Sequence, residues 1–139
     1  MMRCGVVLAD QVIVNKGRLE LLLLRGGSIL RSYSIAIGRN PLGNKNEEGD
    51  SKTPEGGYVI DRRNPKSAYH LSLHVSYPNE ADRERARSLG VEPGGDIMIH
   101  GGRERRETDS TRGCIAVTDA EIEEIWNLVP DGTPIQINP

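Results

Sequence analysis

The sequence predicts a mainly β domain carrying two short helices. Apolar residues recur at period two in several runs. Sixteen Gly and eight Pro divide the chain into many short pieces. Clear helix start and stop signals occur in only two stretches.

Taken in order, Val12 and Val14, then Leu19, Leu21 and Leu23, alternate around Asn15-Lys16-Gly17, which reads as a hairpin. Arg25-Gly26-Gly27 marks a second turn. Ile29, Arg31, Tyr33, Ile35 and Ile37 then share one face of a third strand, giving a meander. Residues 38–57 hold four acidic residues and no apolar period. A loop of that length in a compact domain is either disordered or functional. Thr53-Pro54-Glu55-Gly56 fits a type I turn, and Tyr58-Val59-Ile60 a short strand. In HLSLHVSY, Leu71, Leu73, Val75 and Tyr77 point one way, and His70, Ser72, His74 and Ser76 the other. Pro78 ends that strand. Residues 79–90 form a surface helix stopped by Gly90, and 96–99 another strand. Thr118-Asp119-Ala120-Glu121 is a capping box. It starts a helix that buries Ile122, Ile125, Trp126 and Val129 and stops near Pro130. Asp131-Gly132 turns into a last strand over 134–137. Residues 1–8 are a tail and 9–139 the domain.

The 139 residues suit one core. Phe is absent and aromatics are 4%, so Leu, Ile and Val must build it. A net charge of −2 with both signs mixed leaves no footprint for nucleic acid or an anionic membrane. No apolar run reaches the roughly 18–20 residues of a membrane span, and the start is too short for a signal peptide. Cys4 and Cys114 are too few for a disulfide scaffold. A bond between them stays open beside a reactive thiol at Cys114. His70 and His74 are four apart on a strand, roughly 13 Å, too far to share one zinc. No metal is expected.

The sharper pair is His100 and Cys114, which bracket one charged loop. A cysteine is a nucleophile when a neighbouring imidazole or aligned N–H groups favour its thiolate. That predicts a thiolate near neutral pH. His100 would act as base and then protonate a leaving amine. The N–H groups of Gly113 and Cys114 would face the oxyanion. Either Asp109 or the Gly101 carbonyl could orient the imidazole. Arg103 to Glu107 reads as a solvated loop, or as a rim over the site. Arg112 could favour the thiolate or hold a carboxylate, and His70 shares a strand face with Ser72. From spacing alone, chemistry and chance are evenly matched.

IMIHG followed by DSTRGCIAV resembles the signature of the L,D-transpeptidase catalytic domain. ADQVIVNKGRLELLLLRGG, SYSIAIG and TPEGGYVI are similar to that family's opening strands and Thr-Pro-x-Gly turn. YHLSLHVSYPNEADRERA is similar to a murein-acting subgroup. The resemblance spans roughly residues 9–138. It implies a β-sandwich-like, mainly β fold and no metal or organic cofactor. It also implies a Cys114 nucleophile with His100 as base, Gly101 as orienter, and Gly113 with Cys114 as oxyanion donors. Arg112, His70, Ser110 and Thr111 fall on the substrate side. The implied partner is the peptidoglycan tetrapeptide stem, cut before its terminal D-alanine, with the acyl group passed to an amine or to water. The implied place is the periplasm or cell envelope. Ala116 stands where many members carry Arg, so the acceptor is open. Stem hydrolysis, cutting a protein–peptidoglycan link, a wall-binding module without chemistry, and a redox thiol pairing Cys4 with Cys114 are the competing expectations.

Overall fold

The computed structural model describes residues 7–106 and 110–139. Cys4, Glu107 and Asp109 lie outside the described residues, and with them the readings placed on Cys4 and Asp109. Eight strands form one sheet: β1 (Gln11–Asn15), β2 (Glu20–Arg25), β3 (Ser28–Ser34), β4 (Gly56–Ser67), β5 (His70–Val75), β6 (Met98–His100), β7 (Ile115–Ala116) and β8 (Pro134–Asn138). Their order is β3-β2-β1-β8-β4-β5-β6-β7. Two helices join them, α1 (Glu80–Leu89) and α2 (Asp119–Leu128). The mainly β reading with two short helices holds.

The opening hairpin pairs Val12 with Leu23 and Val14 with Leu21, and all four are buried. The third strand departs from expectation. Its register shifts between Leu23 and Leu24, and Ile29 is 61% exposed. Such a shift breaks the alternation, so only Tyr33 and the following Ile35 and Ile37 reach the core. The short strand expected at Tyr58 is the start of twelve-residue β4. Its first part pairs with β8 and its second with β5, so one strand serves both halves of the sheet. Arg62-Arg63-Asn64-Pro65 carries no apolar alternation, which hid it. No turn forms at Thr53–Gly56; Gly56, at φ 122°, leads into β4 instead. Isolated bridges from Ala36 to Ala116 and from Gly38 to Thr111 tie the segment after β3 to the β7 region.

Both helices have the caps the sequence announced. Asn79 and Asp82 form one reciprocal capping box, and Thr118 and Glu121 the other. The core is aliphatic, supplemented by Tyr33, Tyr58 and Tyr77. Each buried phenol donates its proton: to Glu124, to Asp82 at 2.7 Å and to the Pro93 carbonyl at 2.7 Å. That satisfies the polar end of a ring used to fill space.

The long loop over 38–57 is tied down by buried ions. Lys16, 4% exposed, donates to the carbonyls of Gly43 and Thr53 and pairs with Glu55 at 3.0 Å. Lys45, 3% exposed, binds Asp50 at 3.0 Å, and Asp50 also accepts the N–H groups of Asn46, Glu47 and Lys52. Thr53, fully buried, accepts from Gly38 N–H at 3.0 Å and donates to the Gly113 carbonyl at 2.8 Å. The loop thus braces the turn that carries Cys114. Removing one partner of a buried ion pair leaves the other groups unsatisfied. Lys16→Met should therefore lower stability by about 3 kcal/mol, read as a lower midpoint in urea melts.

Candidate functional site

The sheet register places the site. His100 ends β6 and pairs with Ser72 on β5 and Ala116 on β7. Ser72 in turn pairs with Asn64 on β4. Asn64, Ser72, His100 and Ala116 therefore form one cross-strand row. Arg62, His74 and Met98 form the next row. Cys114, two residues before Ala116, continues that second row on the same face, because side chains alternate along a strand. His100 and Cys114 are thus diagonal neighbours. They line one cleft of ≈370 Å³ with Tyr69, Arg106, Thr111 and Arg112.

His100 is 2% exposed, and its Nδ1 lies 2.7 Å from the Gly101 carbonyl. A carbonyl only accepts, so Nδ1 carries the proton and the neutral ring keeps Nε2 as a base. Tyr69 stacks on the imidazole, with ring centroids 4.3 Å apart and planes 23° apart. Gly101 is required here: a Cβ would lie 2.8 Å from Asp119 Oδ1 and 2.9 Å from Ile122 Cγ2. Gly113 is required too. Its φ is 140°, and a Cβ would lie 2.8 Å from the Lys52 carbonyl.

Cys114 is a free thiol. Its Sγ donates to the Asp96 carbonyl at 3.2 Å, and no hydrogen bond links it to His100. Burial pushes the thiol up, against a stabilising Met98 N–H, while the Asp96 charge adds to the rise. Burial also holds the His100 imidazole below its usual range, against the Gly101 hydrogen bond, and Arg106 reinforces that shift. Burial thus works against both the thiolate and the imidazolium. The sequence reading expects a thiolate near neutral pH, and this burial runs against it.

Other expected residues sort differently. Gly113 N–H donates to Thr111 Oγ1 at 3.0 Å, so this expected oxyanion donor is occupied within its own turn. Thr111 is buried, and its hydroxyl donates to the Cys114 carbonyl at 2.6 Å. It braces the turn. Ser110 gives its carbonyl to Arg106 at 2.6 Å and does not line the cleft. His70 is also absent from the cleft. Its φ of 77° begins β5, and its Nε2 pairs with Glu123 of α2 at 2.7 Å. Arg112 lines the cleft and is exposed.

Two residues escaped the sequence reading. Tyr69, just before the alternating strand, takes the position expected of His70. Arg106 belonged to a run read as solvated. Glu104 and Arg105 are indeed exposed, but they bind Asp119 at the start of α2 and so anchor the loop. Arg106 then turns inward, with a buried Nε that has no hydrogen-bond partner among the described residues. No group of three or more potential metal ligands occurs among the described residues. No helix there is long and apolar enough to cross a membrane.

Residues 9–137 match the family model of the L,D-transpeptidase catalytic domain, YkuD. YafK of Escherichia coli strain K12, provisionally named an L,D-transpeptidase, is 33% identical over 123 residues, covering 86% of this chain and 46% of YafK. The helical cell shape determining protein Pgp2 of Campylobacter jejuni superposes with a TM-score of 0.72 at 28% identity, covering 93% of this chain and 47% of Pgp2. An L,D-transpeptidase of Mycobacterium smegmatis shares the fold, with a TM-score of 0.65 at 13% identity over 94% of this chain and 59% of that one. The chain spans about half the length of the curated relative YafK and of Pgp2.

The lowered His100 pKa carries a stability consequence. The unfolded chain binds a proton at this histidine near pH ~6.5, while the folded chain resists it. Stability should fall as pH drops through that value. Urea melts taken at intervals from about pH 8 to about pH 5 should show this fall, and a shallower one in His100→Gln.

Proposed function

The chain belongs to the L,D-transpeptidase catalytic domain family, and from that premise we propose that it is a cysteine acyltransferase acting on peptidoglycan tetrapeptide stems. The observation that carries this reading is the placement of His100 and Cys114 on one sheet face and in one cleft, with Nδ1 held by the Gly101 carbonyl.

In the proposed reaction, Sγ turns from the Asp96 carbonyl towards Nε2, which takes the thiol proton. The thiolate attacks the carbonyl carbon of the bond before the terminal D-alanine. Negative charge gathers on the carbonyl oxygen, where the Cys114 N–H is the donor. The C–N bond then breaks. The imidazolium protonates the departing amine, leaving a thioester on Cys114. An incoming amine gives its proton to Nε2 and displaces the sulfur. Arg106 and Arg112 supply positive charge on the side where the leaving carboxylate lies. Burial opposes the thiolate, so in this scheme the proton passes to Nε2 as the substrate enters.

Water as acceptor gives a hydrolase from the same intermediate. That second reading is favoured by Ala116, which stands where many members of the family carry Arg and brings no positive charge to hold an amine acceptor's carboxylate. Cutting a protein–peptidoglycan link is the same chemistry with another leaving amine. The proposed setting is the cell envelope, with a place in wall remodelling and cell shape. No cofactor takes part in this scheme.

The test is a mass-spectrometric assay with a disaccharide-tetrapeptide and excess D-methionine. Terminal D-alanine should be lost, with Cys114→Ala slower by at least about 10³-fold. A methionine-exchanged product means transferase, and bare tripeptide means hydrolase. A surviving tetrapeptide would favour a linked polymer substrate or a binding module. Separately, iodoacetamide alkylation of Cys114 should keep accelerating with pH beyond the ordinary thiol value of about 8.5. A rate already flat near neutrality would contradict the raised thiol.

A further inference from the structure

Tyr69 stands apart from the other tyrosines. Tyr33, Tyr58 and Tyr77 are buried, and each donates its hydroxyl to a partner. Tyr69 is 42% exposed, and its hydroxyl has no hydrogen-bond partner among the described residues. One face of its ring lies instead on the His100 imidazole, stacked at 4.3 Å between centroids. An exposed aromatic outside the core thus covers a buried base.

The turn that carries it is held tightly. Ser67 pairs with His70 across the β4–β5 turn, so Tyr69 sits at its tip. The Tyr69 N–H donates to Ser67 Oγ at 3.0 Å, and its carbonyl accepts the Leu71 N–H at 3.1 Å. His70 adopts φ 77°, a left-handed conformation uncommon outside glycine. Its imidazole then holds Glu123 of α2 at 2.7 Å. The turn also lies directly on the glycine pair after His100. A Cβ on Gly101 would lie 2.9 Å from the Tyr69 carbonyl, and one on Gly102 3.8 Å from Tyr69 Cβ. A strained residue, an anchor to α2 and a glycine pair converge on one result, the ring over the imidazole.

The surroundings of the imidazole give that ring its role. In its cross-strand row His100 stands between Ser72 and Ala116, which carry no charge. Its Nδ1 partner is the uncharged Gly101 carbonyl. Arg106 and Arg112 line the same cleft as Cys114, and the Arg106 charge opposes protonation of the ring. Asp119, at the start of α2, is committed to Arg105 and to the Gly102 N–H. His70 and Glu123 pair with each other outside the cleft. An aromatic face carries partial negative charge and attracts a cation laid over it, most strongly where water is excluded.

Resting on the acyl-transfer reading above, we infer that Tyr69 is a positioning residue: its ring face steadies the imidazolium that forms when Nε2 takes the Cys114 proton. That cation lasts until it protonates the leaving amine, so the ring acts between those two proton transfers. The hydroxyl takes no part.

Three changes at this position separate the ring's charge distribution from its bulk. Tyr69→Leu keeps apolar cover and loses the aromatic face. Pentafluorophenylalanine in place of Tyr69 keeps the shape and reverses the charge of the face. Tyr69→Phe loses only the hydroxyl. In the D-methionine exchange assay with the disaccharide-tetrapeptide, the first two should lower kcat about tenfold with KM unchanged. Tyr69→Phe should restore most of the parent rate. In NMR titrations of the full chain, His100 should protonate at lower pH in the first two and as in the parent in Tyr69→Phe. Should Tyr69→Leu fail to fold, the fluorinated ring, which fills the same space, carries the test. If the fluorinated ring and Tyr69→Phe behave alike in both measurements, or KM rises while kcat holds, the assignment is wrong. The titration needs no turnover. If it does not move while the parent exchanges D-alanine, only the Tyr69 assignment falls. If it moves but the parent exchanges no D-alanine, the acyl-transfer reading falls and takes the role of the stack with it.

Discussion

The parallel pairing of β6 with β7 is the constraint on which the site depends. It is short, with Ile99 against Ile115 and His100 against Ala116. A parallel pair cannot be joined by a tight turn; the chain must cross over, which takes a dozen or more residues. That requirement explains the charged stretch between His100 and Cys114, whose length is the cost of bringing two strand ends side by side. Its charges hold the crossover against α2 through Asp119 and deliver Arg106 to the cleft.

A two-residue strand is weak alone, and its support comes from elsewhere. Thr53 bonds both the Gly38 N–H and the Gly113 carbonyl, and Ala36 exchanges backbone bonds with Ala116. Lys16 fixes the carbonyl of the same Thr53. A loop with no apolar pattern thus braces the turn that carries Cys114, because Lys16, Lys45 and Thr53 are buried and paired.

Local signals made much of this legible. The capping boxes at Asn79 and Thr118 stand where the sequence placed them, and the period-two residues of β1, β2 and β5 fill the core. His100 and Cys114 were visible from the glycines beside them. What stayed hidden depended on partners distant in sequence. Nothing near Lys16 says that it will be buried by residues 27 to 39 positions away. The register shift that turned Ile29 outward is set by its neighbour strand. His70 and Tyr69 exchanged places because a residue with positive φ cannot be foreseen from alternation. The thiol's state depends on burial and on a carbonyl eighteen residues away.

Gly101 and Gly113 have no room for a side chain, being pressed against α2 and against the Lys52 carbonyl. These two positions set the frame around the sulfur and imidazole, and neither can be altered by one substitution without moving a helix or a buried loop. Arg112 stands exposed at the His100 cleft, and Arg62 at a second cavity of ≈420 Å³ lined with His74, Asp96 and Met98. Under mutation and selection such a site is frozen at its centre and free at its edges. Descendants of this chain can change what the two cavities accept by changing surface arginines, while the placing of sulfur against imidazole is inherited unaltered.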